Sequence, residues 1–546
     1  MQRVDIKTVK VTNMNLRYCM DEMCAAYNPE DNSWSIFFNG EIFEGHTPKD
    51  FLSKLDEIAK LLKSTKNYDE IFICYIPDLL GVSAMLPEGI ANEYVKKGKK
   101  SYTFYRTKHY EFREYNMFAR ASGRKIQHAA KMHALLSELC ELAGVSNICN
   151  LKYSSGWVVK KALVLGHEEE IKQWYYDTKN YRDSIEHFNE QLIGNKGGLL
   201  KANKGIFEDV LMIDIKSAYL SAFKWIQDFP TGRLVRSTGN RALINIMHGN
   251  WYHFIIKTKE VIDEFYDFAD ENDPKCYGFY RYDENMLFDN GIKLKEIVYN
   301  LVTSGDAEVI SYQSSSYGPL PKCVVDKMQY LYDRKQETKD DPDRKECYKI
   351  MTEYIYGKFM QADHGFQKDS EVVRFFKLPD NVIRPEYSML ACSLVRWRLS
   401  RMIKELDFSY YNDTDGIETS YSKEKEEIVE RQNNIIVEYN KSLGYDSNIG
   451  TYEIEAKHAK IGIIARKQRF FIDDNGKTIA KICSLPKDTI DILRKFGYDD
   501  IKLFELLTHK ITLPVTTFRY DSEFGYVPES LDCNKITLQG CCQEGS

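Results

Sequence analysis

The chain has 546 residues, well above the size at which one hydrophobic core stops growing, so several packed domains are expected. Apolar residues make up 43% of the sequence, with 37 Tyr and 28 Phe, and this composition excludes a disordered protein. The formal net charge of -6 excludes an overall basic surface, so a nucleic-acid partner would have to be bound through local patches. The 13 Cys form no CxxC pair, which favours free thiols in a reducing compartment over structural zinc.

The first 150 residues combine strand-like runs with amphipathic helical patterns, which predicts an α/β region. Residues 1–10 lack the apolar core of a signal peptide, and no stretch is apolar enough to span a bilayer, so a cytoplasmic protein is expected. Gly144 is the expected stop of the second helix. The predicted elements are strands at 34–38 and 71–75, helices at 51–63 and 125–143, and a hairpin at 101–118.

The pattern after residue 190 predicts a strand that ends in a carboxylate and, later, a pair of helices. An apolar strand at 210–213 leads directly into Asp214, and residues 235–318 have the pattern of a mixed insertion. The remaining predicted elements are a helical hairpin at 322–360 with its turn at 340–343, a helix at 387–406 and a β-hairpin at 408–417.

Two short segments carry acidic side chains that could perform chemistry. Asp214 is followed five residues later by Tyr219, although a strand-end Asp that caps the next helix would give the same pattern. Asp413 and Asp415 are two residues apart, so they point the same way if the segment is extended and could then hold a divalent metal. A plain polar hairpin is the alternative, whereas an EF-hand is excluded because its other acidic positions are not acidic here.

A basic helix lies between these segments in the sequence. Lys345, Lys349, Thr352 and Tyr356 recur at helical spacing and share one face, which also fits a solvated basic stripe. Taken with the acids, this pattern favours a site in which strand-borne carboxylates hold metal and Lys side chains hold a triphosphate. That is the arrangement of phosphoryl transfer by two divalent ions about 3.5 to 4 Å apart.

In this order the three segments resemble motifs A, B and C of family B DNA polymerases. Residues 214–220 resemble motif A (Asp-x-x-Ser-Leu-Tyr), and residues 349–357 resemble motif B (Lys-x3-Asn-Ser-x-Tyr-Gly). Residues 410–416 resemble motif C (Tyr-x-Asp-Thr-Asp-Ser). The resemblance implies a DNA-directed DNA polymerase that uses dNTPs, primer-template DNA and two Mg²⁺ or Mn²⁺ ions.

The resemblance also implies roles for single residues. Asp214, Asp413 and Asp415 would be the catalytic metal ligands. A ring at Tyr219 would pack under the incoming sugar and reject a 2'-hydroxyl by collision, while Tyr356 would face the nascent base pair. The residues expected to bind the nucleotide are Ser217, Tyr219, Lys345, Lys349 and Tyr356.

Further features are similar to the protein-primed branch of bacteriophages and linear plasmids, which work inside a bacterial host. Phe229-Pro230-Thr231-Gly232 follows motif A as it does there, and 235–318 lies where that branch contacts its terminal protein, a candidate primer. Residues 467–471 take the place of its Lys-x-Tyr motif at the primer terminus, although a solvated basic strand edge would look the same. The residues expected to contact DNA are Gly197, Gly198, Lys358, Arg469 and Phe471.

The sequence also departs from the family pattern. Glu353-Tyr354 stands where motif B has Asn-Ser, and Gly416 stands where motif C ends in Ser. Asn195 replaces the Tyr of the connection that precedes motif A. A Glu near the nucleotide adds negative charge beside the triphosphate, so altered affinity or fidelity is expected unless Glu353 points away.

The family's 3'-5' exonuclease would lie in the N-terminal region, where the match is poor. The usual Asp-x-Glu meets only Asp21-Glu22, and the other candidate acids are Asp78 and Asp177. These four carboxylates could still assemble a residual metal site. The missing motif residues favour a degenerate proofreading domain with weak or no activity.

The fold class implied by the resemblance is α/β and α+β multi-domain, with an RNase H-like exonuclease-type N-terminal domain before a right-hand palm, fingers and thumb polymerase. Residues 358–385 are a short segment at the place of the second insertion, which in that branch forms a hairpin around downstream DNA. The resemblance therefore does not imply strong strand displacement. The expected boundaries are 1–190 for the exonuclease-like domain, 191–234 and 386–484 for the palm, 235–318 and 358–385 for two insertions, 319–357 for the fingers, and 485–546 for the thumb and tail.

Two other functions fit parts of the pattern. A reverse transcriptase shares a palm, but the Asp-Thr-Asp spacing and the late motif-B helix argue against it. A non-catalytic nucleic-acid-binding protein would explain the altered motif B and the poor exonuclease motifs. The retention of Asp214, Asp413 and Asp415 argues against that second alternative.

Overall fold

The computed structural model divides the chain into two compact units, each assembled from separate stretches of sequence. The first comprises Met1–Leu165, Leu331–Met351 and Thr512–Ile536, and the second comprises Gly166–Tyr330, Thr352–Ile511 and Thr537–Ser546. The structure describes residues 17–27, 33–65, 70–77, 93–96, 102–106, 110–115, 128–151, 155–177, 198–226, 229–230, 235–237, 251–258, 275–279, 300, 302–314, 317–360, 385–445, 448–482, 490, 494, 497–514, 518–521, 525–528 and 535–539. Among these residues, no helix has the length and apolar character needed to cross a membrane.

The first unit is built on a seven-stranded mixed sheet. Its strands are β1 (Arg17–Tyr27), β2 (Trp34–Phe38), β3 (Glu41–Gly45), β4 (Glu70–Ile76), β5 (Glu93–Lys96), β6 (Tyr102–Arg106) and β7 (Tyr110–Glu114). They lie in the order β3-β2-β1-β4-β7-β6-β5. The first three strands form an antiparallel meander, while β4 runs parallel to β1 and β7 runs parallel to β4.

One face of this sheet is covered by helix α1 (Pro48–Thr65). Phe51, Leu55 and Ile58 recur at helical spacing and are buried in the same core as Ile36 and Phe72 of the sheet. The strands and the helix predicted over 34–38, 71–75 and 51–63 are therefore confirmed, as is the hairpin of β6 and β7.

Two further helices of the first unit are α2 (Ala129–Ala143) and α3 (Ser155–Val164), with a 3₁₀ turn at Ile148–Asn150 between them. Gly144 has a φ of +65°, and its N–H donates to the carbonyls of Cys140 and Glu141. This left-handed residue ends α2 as predicted, because glycine adopts that conformation without a steric cost.

The predicted helical hairpin is present as α6 (Lys322–Glu337) and α7 (Pro342–Met360), after α4 (Glu168–Asp177) and α5 (Ala218–Trp225) in the chain. Within the first unit, Glu138 of α2 accepts hydrogen bonds from the Tyr348 hydroxyl at 2.6 Å and from Arg334 at 2.6 Å. Arg344 donates a third bond to Glu138 at 3.2 Å. One carboxylate therefore joins both arms of the hairpin to α2.

The second unit contains a seven-stranded sheet in which every pair of neighbours is antiparallel, with the order β20-β19-β18-β9-β17-β16-β8. The central strand β9 begins with an exposed segment and ends in the buried run Val210–Ile213, as the sequence predicted. The strands of this sheet are β8 (Leu199–Ala202), β9 (Gly205–Ile215), β16 (Tyr411–Thr414), β17 (Gly416–Ser420), β18 (Tyr452–Ala465), β19 (Gln468–Ile472) and β20 (Thr478–Ile482).

Other described elements complete the chain. The segment predicted as a mixed insertion contains a four-stranded antiparallel sheet in the order β11-β14-β12-β13. The remaining strands are β10 (Phe229–Pro230), β11 (Val235–Ser237), β12 (Trp251–Thr258), β13 (Lys275–Phe279), β14 (Ala307–Ser314), β15 (Tyr317–Gly318), β21 (Lys510–Pro514), β22 (Phe518–Asp521), β23 (Gly525–Pro528) and β24 (Lys535–Gln539). The remaining helices are α8 (Pro385–Glu405), α9 (Lys423–Ser442) and α10 (Asp500–Thr508).

The helix that follows Asp214 is anchored by a buried arginine. Arg398 of α8 is 1% exposed, and its guanidinium lies 4.2 Å from the centre of the Trp225 ring of α5. It also donates to the Ser221 hydroxyl at 3.3 Å and to the Gly450 carbonyl. These contacts fix the position of α5, and with it the side chains that follow the end of β9.

Candidate active site

The sheet of the second unit brings together the three Asp predicted as metal ligands. Asp214 is the penultimate residue of β9, and in the sheet register it lies opposite Gly416 of β17. Gly416 in turn lies opposite Asp413 of β16, and the Ile215 N–H donates to the Asp415 carbonyl at 3.0 Å. The three acids therefore lie side by side at one end of three neighbouring strands.

The turn between Asp413 and Asp415 is tight. The Asp415 N–H donates to the Asp413 carbonyl at 2.7 Å, and Thr414 has a φ of +65°. The backbone is therefore not extended here, so the shared direction inferred from the i, i+2 spacing does not apply. The hydroxyls of Tyr411 and Thr414 donate to the two carboxylate oxygens of Asp413 at 3.2 and 3.0 Å, and these bonds fix its orientation.

Gly198 lies directly against this turn. A Cβ added to Gly198 would come 2.6 Å from both the Cα and the Oγ1 of Thr414. The close approach arises because β8, which begins at Leu199, pairs with β16 and places Leu199 opposite Thr414. The position requires glycine for this structural reason, apart from the DNA contact predicted for it.

We expect Gly198→Ala to displace the Thr414 turn and to lower the free energy of unfolding by about 1–3 kcal/mol, the usual cost of overpacking. Any activity of the acidic site should fall further than stability alone explains, because the turn carries two metal-ligand candidates. Urea unfolding at 20 °C would measure the change in stability. Gly357→Ala is the control for stability, since an added Cβ there meets nothing within 4 Å. Equal stability of the two variants would contradict the expectation.

The carboxylates repel one another in a partly buried site. Burial is the largest cause that raises the pKa of Asp214, to about 6, and the Glu455 carboxylate is the next. Burial and the carboxylates of Asp214 and Asp413 raise the pKa of Asp415 well above its usual value. A cation between these groups would relieve the repulsion, and oxygen donors are the ligands that Mg²⁺ and Mn²⁺ prefer. The residues therefore fit the divalent ions that the resemblance implies.

A buried ion pair, Glu418 with Arg469, lies next to Asp413. Glu418 of β17 is 2% exposed and its Oε1 lies 2.6 Å from the Nε of Arg469, which is 8% exposed. The guanidinium of Arg469 lies 4.4 Å from the centre of the Tyr411 ring and 3.9 Å from Asp413 Oδ2. Burial raises the pKa of Glu418 to about 7, although Arg469 opposes that shift. Glu418 and Arg469 thus position both Tyr411 and Asp413.

The two aromatic residues predicted to meet the nucleotide are in contact with each other. The rings of Tyr219 on α5 and Tyr356 on α7 stack with their centres 4.0 Å apart and their planes 14° apart. Burial raises the pKa of Tyr219, and the neighbouring Cys392, Tyr356 and Asp415 raise it further. Ser217, which precedes α5, has a φ of +51°. The structure therefore brings Tyr219 and Tyr356 together close to the acidic end of the sheet.

The basic face of α7 changes in burial along the helix. The side chains of Lys345 and Lys349 are exposed and belong to the first unit, whereas Thr352 is buried and Tyr356 is half-buried in the second. Glu353 is exposed, and its carboxylate is among the causes that raise the pKa of Asp415. The added negative charge expected in motif B therefore acts on Asp415, one of the predicted metal ligands.

Two residues predicted to contact DNA are buried in the structure. Phe471 is 5% exposed and packs in the core with Val210 and Ile461, on a strand whose three central residues are all buried. Arg469 is on the same strand and pairs with Glu418, as described above. Both residues thus have structural roles in the described protein. Gly197 and the side chain of Lys358 lie outside the described residues.

The exonuclease candidates are only partly described. Glu22 on β1 accepts from the Ile148 N–H at 3.2 Å and lies 2.7 Å from the His133 ring, so its carboxylate already has two partners. Asp21 accepts a bond from the Cys19 thiol at 2.9 Å. Asp78 and the side chain of Asp177 lie outside the described residues.

Sequence reasoning missed three carboxylates near the site: Glu418, Glu453 and Glu455. Glu453 of β18 lies opposite Asp214 in the sheet register, and Glu455 is the charged neighbour that most raises the pKa of Asp214. Lys481 lies 3.5 Å from Glu455 and partly offsets the two charges. The period-two alternation of acids at 453 and 455 could have indicated a strand beside β9, but the buried Glu418 had no sequence signal.

No protein-family model matches the sequence, and no curated protein sequence matches it either. Solved structures do match. The structure of phi29 DNA polymerase complexed with primer-template DNA and incoming nucleotide substrates is similar with a TM-score of 0.52 and 12% sequence identity. The match covers 96% of this chain and 100% of that one.

Two more structures of the same polymerase match less closely. The complex with primer-template DNA has a TM-score of 0.47 at 12% identity and covers 95% of this chain and 100% of the other. The complex with single-stranded DNA has a TM-score of 0.47 at 11% identity and covers 95% and 99%. Of these three structures, the ternary complex carries the comparison of folds. On that basis the chain has the fold of phi29 DNA polymerase, and the resemblance to protein-primed family B polymerases is confirmed at the level of the fold.

Proposed function

We propose that this chain is a template-directed DNA polymerase, which joins deoxynucleotides from dNTPs to the 3'-hydroxyl of a primer. The observation that carries the proposal is the meeting of Asp214, Asp413 and Asp415 at one end of an antiparallel sheet, in a chain with a polymerase fold. The matching phi29 polymerase was solved with primer-template DNA and incoming nucleotides, which supports the same partners for this chain.

The three acids would hold two Mg²⁺ or Mn²⁺ ions. Divalent ions bound there would favour deprotonation of the primer hydroxyl and neutralise the charge that develops on the phosphate. The protein contributes the register that aligns Asp214 with Asp413, and the hydroxyls of Tyr411 and Thr414 that orient Asp413. These restraints would lower the cost of organising the site during reaction.

Other side chains would select the nucleotide. Tyr219 is held in place by its stack on Tyr356, so its ring would exclude the 2'-hydroxyl of a ribonucleotide by collision. The exposed Lys345 and Lys349 would contact the triphosphate, as point charges that suit phosphate oxygens. Glu353 would counteract part of this attraction.

The first unit would be an RNase H-like exonuclease-type domain with weak or no proofreading activity. Its sheet combines an antiparallel meander with parallel strands on the other side of β1. Glu22, one of the candidate acids, is occupied by His133 and by a backbone N–H. A terminal protein would serve as primer and would contact the 235–318 segment, which contains the four-stranded sheet of β11 to β14.

Extension of a labelled primer on a DNA template tests the proposal. With Mg²⁺ and four dNTPs the native chain should extend the primer, and Asp413→Asn with Asp415→Asn should reduce the rate at least about 1000-fold, a loss of roughly 4 kcal/mol in transition-state stabilisation. Asp326→Asn, at an exposed position on α6, is the matched control and should keep full activity.

Three other results would change the assignment. Equal extension by the native chain and the double variant would mean that the acids are not catalytic. Binding of primer-template without extension under Mg²⁺ or Mn²⁺ would favour the non-catalytic nucleic-acid-binding protein. Faster extension on an RNA template than on a DNA template would favour the reverse transcriptase.

A further inference from the structure

Three possible metal ligands of different chemical kinds meet away from the acidic site. One ring nitrogen of His167, one carboxylate oxygen of Glu170 and the sulfur of Cys323 all lie within 4.8 Å of one another. His167 Nδ1 and Glu170 Oε2 are 3.2 Å apart. His167 directly precedes α4 and Glu170 lies in its first turn, whereas Cys323 lies in the first turn of α6. All three residues belong to the second unit.

Local helix geometry explains only part of this cluster. His167 and Glu170 are three residues apart at a helix start, so their contact would form in many helices without any metal. Cys323 is different, because only the tertiary fold brings it to the other two. The thiol-bearing residue is 7% exposed, while the side chains of His167 and Glu170 are 50% and 48% exposed. The cluster thus has a soft sulfur donor at its base and an open side toward solvent.

We propose that His167, Glu170 and Cys323 bind one divalent transition-metal ion, with zinc as the expected metal and water as the fourth ligand. Zinc takes sulfur at about 2.3 Å and nitrogen or oxygen at about 2.0–2.2 Å, so tetrahedral donors lie roughly 3.3–3.7 Å apart. The donor atoms lie within 4.8 Å of one another, so each pair would have to close by at most about 1.5 Å. Rotation of the two exposed side chains can supply that movement.

The choice of metal follows from the donors. Thiolate and imidazole suit zinc and other transition metals, whereas Mg²⁺ and Ca²⁺ take oxygen ligands and would prefer the Asp cluster. As the metal–sulfur bond forms, the Cys323 thiol releases its proton to solvent. The bound ion would tie the first turn of α4 to the first turn of α6, which are distant in sequence. This site does not depend on the proposed polymerase activity.

Cobalt substitution tests the site directly in the full-length protein. Titration of the metal-free native chain with Co²⁺ should produce a thiolate-to-cobalt charge-transfer band with one ion per chain, and Zn²⁺ should displace it. Cys323→Ser should abolish the band, and His167→Ala or Glu170→Gln should weaken Co²⁺ affinity more than about 10-fold. The last two positions are exposed, so these variants should keep the native circular dichroism spectrum.

Two controls separate this site from other metal-binding groups. Cys347→Ser alters a different buried thiol and should leave the band unchanged. Asp413→Asn with Asp415→Asn removes the oxygen-rich cluster and should also leave it unchanged. The proposal fails if the native chain shows no charge-transfer band, or if the band survives in Cys323→Ser. Either result is independent of primer extension, so it leaves the proposed polymerase function unaffected.

Discussion

Arg469→Met is expected to lower the free energy of unfolding by about 3–5 kcal/mol at pH 8, because it leaves a buried carboxylate without its cation. Glu418 is 2% exposed and its Oε1 lies 2.6 Å from Arg469 Nε. Arg469 also packs on the Tyr411 ring and lies 3.9 Å from Asp413. Polymerisation should therefore fall as well, since Tyr411 donates the bond that orients Asp413.

Denaturant unfolding with a double-mutant cycle would measure this cost. Arg469→Met combined with Glu418→Gln should recover at least half of the lost stability, because no buried charge is then left unpaired. Lys460→Met is the matched control, since Lys460 forms an exposed ion pair with Glu208 at 2.8 Å on the same sheet. Its expected cost is at most about 1 kcal/mol. Similar costs for the two single variants would show that Arg469 does not compensate a buried charge.

The pH dependence of the Arg469→Met cost has a definite sign. Burial already raises the pKa of Glu418 to about 7 with Arg469 present, and removal of the guanidinium would raise it further. The stability that comes from neutral Glu418 is present at low pH and is lost as the pH rises through its folded pKa. The variant should therefore approach the stability of the native chain at pH 5.5, measured by the same unfolding experiment.

Local sequence signals were sufficient for the elements that carry the site. The apolar run before Asp214 and the hairpin around Asp413 formed as predicted, because hydrophobic patterning and turn residues determine them within a few positions. The sequence order of the motifs also pointed to the fold that the phi29 comparison shows. In the structure the three acids that were predicted as metal ligands lie together at one end of the sheet.

Tertiary packing decided what the sequence could not. Arg469 has the positive charge expected of a phosphate contact, yet in the fold it pairs with Glu418, a partner about fifty positions earlier that no spacing rule identifies. Gly198 required the pairing of β8 with β16 before its closeness to Thr414 could be seen. The absence of CxxC spacing argued against structural zinc. Local spacing could not reveal that Cys323 lies near His167, because the two residues are distant in sequence and only the fold brings them together.

Asp415→Asn is expected to abolish polymerisation and yet to raise the melting temperature of the metal-free protein at pH 8, by on the order of 2 °C or more. The reason is that burial and the carboxylates of Asp214 and Asp413 disfavour the charged form of Asp415. A neutral amide of similar size removes that repulsion, so activity and stability should change in opposite directions.

The stabilisation by Asp415→Asn should be larger at pH 8 than at pH 5. Asp214 has a folded pKa of about 6, above the value of about 3.9 for an unfolded chain, so its favourable contribution is complete below pH 4 and is lost as the pH rises through 6. At pH 5 the Asp214 carboxylate is largely protonated, so less negative charge faces Asp415 and the advantage of Asp415→Asn should shrink. Scanning calorimetry in EDTA at the two pH values would measure this, with Asp326→Asn as an exposed control that stays unchanged.

Added metal should reverse the order of stability. Mn²⁺ at pH 8 is expected to stabilise the native chain in proportion to its occupancy and to leave Asp415→Asn nearly unaffected, because the variant lacks one ligand. At pH 5 the same Mn²⁺ concentration should stabilise the native chain less, since protons compete for Asp214 and Asp415. If Asp415→Asn were less stable than the native chain in EDTA at pH 8, the carboxylates would not repel one another. The site would then have no electrostatic preference for a cation.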